Sequence, residues 1–193
     1  MFTKKIAVLF SGGGSNLEAI LERLHGKVFG ETRIEVTLTL TNKANAGGIA
    51  KAAKYGLKSV VIEHVNFASR EEFDAAVVEE IKRANVDLTV LAGFMRILTP
   101  VFTSQVRAIN LHPSLLPLFK GAHAIKESFD SDMKVGGVSV HWVSEELDGG
   151  KIIAQRAFEK SARMSLEEFE AKIHAIEHEI LPETIVQILT DKE

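Results

Sequence analysis

An apolar run from Lys5 to Phe10 breaks into Ser11-Gly12-Gly13-Gly14, after which Leu17, Ile20, Leu21 and Leu24 recur at helical spacing. The period changes from that of a strand to that of a helix across a glycine turn. A strand delivered into a helix in this way returns to its sheet by a crossover, which makes its next partner parallel. The same grammar continues. Ile34, Val36, Leu38 and Leu40 alternate as a half-buried strand, and an alanine-rich helix around Ala46 to Tyr55 ends at Gly56. Ser59 to Ile62 reads as a short strand, the next helix turns Phe73, Ala76, Val77 and Ile81 inward, and Leu88 to Leu91 is a fourth strand. The expected fold is α/β: a doubly wound, mostly parallel twisted sheet with helices on both faces, in a single domain spanning 1–193.

Three Ser-x-x-Glu spacings, Ser15/Glu18, Ser69/Glu72 and Ser165/Glu168, predict capping boxes at helix starts. The last opens a C-terminal helix over 165–189 that carries Leu166, Phe169, Ile173, Ile176 and Ile180. Between Asn110 and that helix the texture changes to a proline-bounded loop, a short helix near Ala124 to Phe129 and two strands, Val138 to Val143 and Ile152 to Phe158.

Composition excludes several classes of function. At 193 residues and 46% hydrophobic content the chain can bury a sizeable core. A net charge of -3 with no cluster of Lys or Arg argues against nucleic-acid binding, so small molecules are the expected partners. The absence of cysteine removes disulfides, zinc-thiolate sites and thiol nucleophiles, and fits a reducing compartment. No apolar run reaches the roughly 20 residues of a membrane span, and Met1 to Lys5 is too short, and the following strand too punctuated, to read as a signal peptide. A cytoplasmic protein is expected. His174 and His178 stand four apart, a spacing that can bind zinc, but no third ligand accompanies them, and no metal is expected.

The chemistry concentrates in Ile109-Asn110-Leu111-His112-Pro113-Ser114-Leu115-Leu116-Pro117 and in Leu147-Asp148-Gly149-Gly150. Asn110 and His112 are two apart, so on a strand they leave the same face. Pro113 cannot continue a central strand, which puts the pair at a strand end, where open parallel sheets place ligands. Amide, imidazole and carboxylate together suit acyl transfer without a covalent nucleophile. The plainer readings are a turn-capping Asn110, a structural His112 and a hairpin Asp148. Ser139 and His141 on the following strand either buttress this site or simply pack. The loop Ser11–Asn16 fits neither the dinucleotide fingerprint nor the Walker pattern. It is either a terminal-phosphate cradle built on helix N-terminal amides or a tight turn.

These residues resemble the folate-dependent phosphoribosylglycinamide formyltransferases almost end to end. The likeness rests on Ser11-Gly12-Gly13-Gly14-Ser15-Asn16-Leu17, Thr41-Asn42-Lys43-Ala44, Leu91-Ala92-Gly93-Phe94-Met95-Arg96-Ile97-Leu98, Asn110 to Pro117, and Glu145 to Gly150. It implies passage of a formyl group from the co-substrate 10-formyltetrahydrofolate to the amine of phosphoribosylglycinamide in purine synthesis. By the resemblance, Asn110 and His112 hold the oxyanion, and Asp148 organises a water or the imidazole to move protons. It further implies that Gly14, Ser15, Asn16 and Glu177 bind the phosphorylated substrate. Arg70, Met95, Arg96 and Leu98 form the folate side, with the Arg70 guanidinium meeting the glutamate tail. The loops from about 91 to 150 are then the catalytic and folate-binding part, and the first half the phosphate-binding part. His174 stands where relatives carry glutamine or lysine near the phosphate, and Gly13 where asparagine is common.

Two alternatives accompany this expectation. One is a deformylase that hydrolyses the same formyl donor; it normally carries an amino-terminal regulatory domain, whereas this chain opens on its first strand. The other is a folate- or nucleotide-binding module without turnover, which the intact Asn110, His112 and Asp148 disfavour. The tRNA-formylating relatives add a basic carboxy-terminal domain, and no basic extension is seen before Glu193. The expected assembly is a monomer or homodimer, with no nucleic-acid or membrane partner.

Overall fold

Ile6 to Phe10, at the centre of the sheet, have no exposed surface at all. In a computed structural model that describes residues 1–191, the chain runs β1 (Phe2–Phe10), α1 (Ser15–Leu24), β2 (Lys27–Phe29), β3 (Thr32–Thr41), α2 (Gly48–Lys54), β4 (Val60–Val61), a 3-10 turn (His64–Asn66), α3 (Arg70–Ala84), β5 (Leu88–Leu91), α4 (Pro100–Thr103), β6 (Ala108–His112), α5 (Ala124–Asp130), β7 (Val135–Trp142), β8 (Ile152–Glu159) and α6 (Leu166–Thr190). The last two residues of the expected domain lie outside the described part.

The eight-stranded sheet has the order β2-β3-β1-β5-β6-β7-β8, with β4 beside the end of β3. Pairing is parallel from β4 through β3, β1 and β5 to β6, and antiparallel at β2, β7 and β8. Parallel strands require cover on both sides, and two apolar clusters supply it. Leu17, Ile20 and Leu24 of α1 and Phe169, Ile173 and Ile180 of α6 pack on one face, against Ile6, Val8 and Phe10. Phe73, Val77 and Ile81 of α3, with Phe102, pack on the other, against Ala7 and Leu9. Full burial of each such side chain contributes about 1.5–3 kcal/mol. The expected class of sheet is thus found.

Two local expectations are corrected. Ile34, Val36, Leu38 and Leu40 do not line one face. The ladder slips between Ile6↔Val36 and Ala7↔Leu38, leaving Thr37 unpaired. Beyond that bulge the faces exchange, so Ile34 and Val36 join the α1/α6 core while Leu38 and Leu40 join the α3 core. The second correction concerns α1. Gly14, in the left-handed region (φ 69), is its cap, Ser15 is already helical, and no side chain caps the first turn. Glu18 instead binds Lys51 of α2 at 2.7 Å. The first-turn amides therefore remain open to a ligand. The other two caps form: Ser69 accepts from Glu72 N–H, and Ser165 and Glu168 make a complete capping box. Helix α2 starts two residues later than expected because Gly47 and Gly48 lie against the glycine loop, with Gly48 N–H donating to the Gly12 carbonyl at 3.1 Å.

After β1 the chain moves to β3 on one side, and β5 later takes the other side. The carboxyl ends of β1, β5 and β6 thus open onto the crevice where strand order reverses, the usual ligand position in such sheets.

Candidate active site

Ile109 and Leu111 face the core, so Asn110 and His112 leave β6 on the opposite side. Antiparallel β7 sets His141 across from Asn110 and Ser139 across from His112. Asp148 comes from the β7–β8 connection, held in the left-handed region at φ 49 and followed by Gly149-Gly150. Gly150 lies so close to the Trp142 carbonyl that no side chain fits there.

The contacts define which atoms are donors. His141 Nδ1 lies 2.9 Å from the Trp142 carbonyl, which only accepts, so the proton is on Nδ1 and Nε2 is bare. Asn110 Nδ2 then donates both hydrogens, to His141 Nε2 at 3.2 Å and to Asp148 Oδ1 at 3.3 Å. His112 Nε2 donates to the Phe119 carbonyl at 2.7 Å, which leaves Nδ1 facing Asp148 Oδ2 at 3.5 Å. A proton gained by His112 therefore appears on Nδ1, on the side of the carboxylate. Burial pushes the Asp148 carboxyl up, but the neighbouring His141 ring (3.6 Å from Oδ1), the Gly121 amide (2.9 Å from Oδ2) and the nearby His112 outweigh it. The net result lies below the usual carboxylate value.

A loop after β6 supports this cluster through contacts that no motif advertised. Phe119, also left-handed (φ 56), turns its carbonyl onto His112. Ser114, fully buried, donates to the Leu118 carbonyl, and Ser139 donates to the Ser114 carbonyl at 2.7 Å while accepting from Leu116 N–H and Gln155. Ser139 thus buttresses the loop, and His141 orients the amide.

Asn110, His112, His141 and Asp148 line a cavity of about 520 Å³ whose other walls include Gly12–Asn16, Gly93–Leu98, His174 and Glu177. At the glycine end, among the described residues, no protein acceptor engages the N–H groups of Gly13, Gly14, Ser15 or Asn16. Glu177, buried on α6, accepts from Asn16 Nδ2 at 3.2 Å and from His174 Nδ1 at 2.9 Å. The Glu177 bond and charge raise His174 above its ordinary value, burial opposing, whereas burial lowers His178. At the other end Met95 and Ile97 are exposed (60% and 56%), an apolar surface turned to the cavity beside Phe94 and Leu98. Arg96 stands over the Phe73 ring at 5.6 Å. The segment is anchored by Asp74, a buried carboxylate that accepts from Thr99 N–H and Oγ. Burial first of all raises the Asp74 carboxyl. Among the residues expected to touch a ligand, Arg70 is the exception: it is exposed at the start of α3 and does not line the cavity. Among the described residues no group of three or more His, Cys, Asp or Glu is placed to hold a metal, and no helix is long and apolar enough to cross a membrane.

The formyl transferase family model matches residues 4–185. Phosphoribosylglycinamide formyltransferase of Bacillus subtilis (strain 168) is 37% identical over 188 residues, covering 96% of this chain and 95% of that one. Trifunctional purine biosynthetic protein adenosine-3 of Drosophila melanogaster is 38% identical over 188 residues, and the chain spans only 14% of its length. The crystal structure of phosphoribosylglycinamide formyltransferase from Campylobacter jejuni subsp. jejuni NCTC 11168 superimposes with a TM-score of 0.96 at 64% identity, covering 97% of this chain and 98% of that one.

Proposed function

Because the chain belongs to the formyl transferase family, we propose that it transfers the formyl group of 10-formyltetrahydrofolate to the amine of phosphoribosylglycinamide, in purine biosynthesis, as a cytoplasmic enzyme. The observation that carries this reading is the shared cavity: an amide and an imidazole that both contact one carboxylate, between a loop of free amides and an apolar wall. The residues fit both ligands. Gly14, Ser15 and Asn16 offer N–H groups at a helix start to a phosphate. Glu177, an acceptor beside them, suits the donors of a sugar or an amine. Met95, Ile97 and Leu98 offer an apolar surface to a flat ring, with Arg96 held against Phe73 beside it. Arg70 reaches for the carboxylate tail outside the cavity proper.

The bound formyl donor supplies an acyl carbon whose oxygen becomes negative when the amine attacks. His112, pinned through Nε2 by Phe119, presents Nδ1–H to that oxygen once protonated. Asp148, whose carboxyl lies below the usual carboxylate value, faces that nitrogen at 3.5 Å. Asn110 contributes a second donor by exchanging its longer bond, the one to Asp148, for the oxygen. One such donor is worth about 3 kcal/mol of barrier. Asp148, freed of that bond, organises a water or the imidazole for the proton that leaves the attacking amine and the one that the leaving nitrogen requires.

The test is substrate dependence. Purified protein given 10-formyltetrahydrofolate should release tetrahydrofolate only when phosphoribosylglycinamide is present. Equal release without the amine identifies a hydrolase instead, and binding without release in either case identifies a non-catalytic module.

A further inference from the structure

The two ligand-facing walls of the cavity meet at one serine. Ser11, directly before Gly12, is buried, with 2% exposure. Its Oγ donates to Asn42 Oδ1 at 2.6 Å and accepts from Met95 N–H at 2.8 Å, while its own N–H donates to the Gly93 carbonyl at 3.0 Å. Asn42, equally buried just beyond β3, is held by its other end, where Nδ2 donates to His64 Nδ1 at 3.2 Å. The His64 ring stands edge-on to Phe73, which stacks on Phe94 of the apolar wall. A serine hydroxyl has a single proton. With Met95 N–H as a fixed donor, that proton goes to Asn42, and the orientation of the whole chain of contacts follows. None of Ser11, Asn42 or His64 lines the cavity.

We propose that Ser11 and Asn42 are positioning residues that set the separation of the glycine loop from the Gly93–Leu98 wall, and hence of the bound amine from the formyl carbon. This rests on the formyl-transfer reading above. Each subsite keeps its own ligand contacts when the joint is removed, because those contacts come from other residues. What changes is the distance between two ligands, which matters only to the step that needs both. Misplacement by about 1 Å is enough to slow such a step about 100-fold.

Steady-state kinetics, with separate equilibrium titrations of each substrate, test this on the full-length protein. Ser11→Ala and Asn42→Ala should each lower kcat roughly 10- to 100-fold while the dissociation constants for phosphoribosylglycinamide and for the folate stay within about threefold of wild type. The double variant should be no slower than the slower single one, because both remove the same link. Should Ser11→Ala fail to fold by circular dichroism, Asn42→Asp and Asn42→Leu replace it. The aspartate keeps an acceptor for the Ser11 hydroxyl and should stay much closer to wild-type kcat than the leucine. A kcat for Ser11→Ala within twofold of wild type overturns the proposal, as do losses that multiply in the double variant or an Asn42→Asp no better than Asn42→Leu. A wild-type protein without amine-dependent release would take down the functional reading itself, a result distinct from an active wild type with an unaffected Ser11→Ala.

Discussion

Asn110→Ala removes a side chain whose two amide hydrogens are both in use, on His141 at 3.2 Å and on Asp148 at 3.3 Å. Each acceptor left without a partner costs about 1–3 kcal/mol when sealed from solvent. Here the cavity is open to water, so the lower end applies, about 2 kcal/mol for the pair. For a chain of this size that lowers the melting temperature by roughly 4–8 °C. Against a total stability of about 5–15 kcal/mol, such a loss still leaves more than roughly 99% of molecules folded. Unfolding therefore cannot account for a large fall in rate. Loss of one oxyanion donor can, since it lowers kcat by about 100- to 1,000-fold. The assay is kcat at saturating concentrations of both substrates, alongside a thermal melt and a folate titration. A fall in kcat of two to three decades with folate affinity nearly unchanged is expected. A kcat within about threefold of wild type, or a loss confined to KM, refutes the assignment of Asn110 as a donor that acts in the transition state.

Three further outcomes follow from the same contacts. The Asp148 carboxyl is depressed, so its contribution to stability is fully present above the unfolded value of about 3.9 and is lost as pH falls through the lower folded value; denaturant unfolding should show the gap between wild type and Asp148→Asn shrinking below about pH 4, and a gap independent of pH contradicts this. The bond to Glu177 raises His174, whose contribution is present below the unfolded value of about 6.5 and is lost as pH rises through the higher folded one. NMR titration should therefore give His174 a midpoint above that of His178, with Glu177→Gln lowering His174; unchanged titration in Glu177→Gln would exclude the pair as its cause. Ser165→Ala breaks the complete capping box of α6 and should cost about 1 kcal/mol in denaturant unfolding, whereas an unchanged midpoint would show the cap to be dispensable.

Much of this architecture was legible in the chain because the signals were local. The change of period across Gly12-Gly13-Gly14, the run Leu88 to Leu91 and the Asn110/His112 pair each depend on neighbours within a few residues. What escaped depends on distant partners. Thr37 as a bulge is invisible in the alternation of Ile34 to Leu40, because it is decided by register against β1. Ser15 fails as a cap because left-handed Gly14 takes that place and Ser15 is already helical, while Glu18 pairs with distant Lys51. Asp74 sits beside Phe73 on a helix and reads as solvated, yet it is buried to anchor Thr99, 25 residues on. The Phe119 carbonyl and the Gly121 amide, which orient His112 and Asp148, carry no side-chain signature at all. Arg70 illustrates the reverse: its expected role came from resemblance, and its exposed place outside the cavity supplies no contact that argues for or against it.

In the proposed reaction Asn110 and His112 grip one oxygen. A crystal structure of the protein bound to a tetrahedral adduct, formed from phosphoribosylglycinamide and a folate aldehyde that is attacked but cannot release its carbon, measures this directly. The adduct oxygen should lie within about 3 Å of both Asn110 Nδ2 and His112 Nδ1, with the phosphate on the Gly14–Asn16 amides. An adduct whose oxygen points to solvent, or whose phosphate sits away from the glycine loop, contradicts the account.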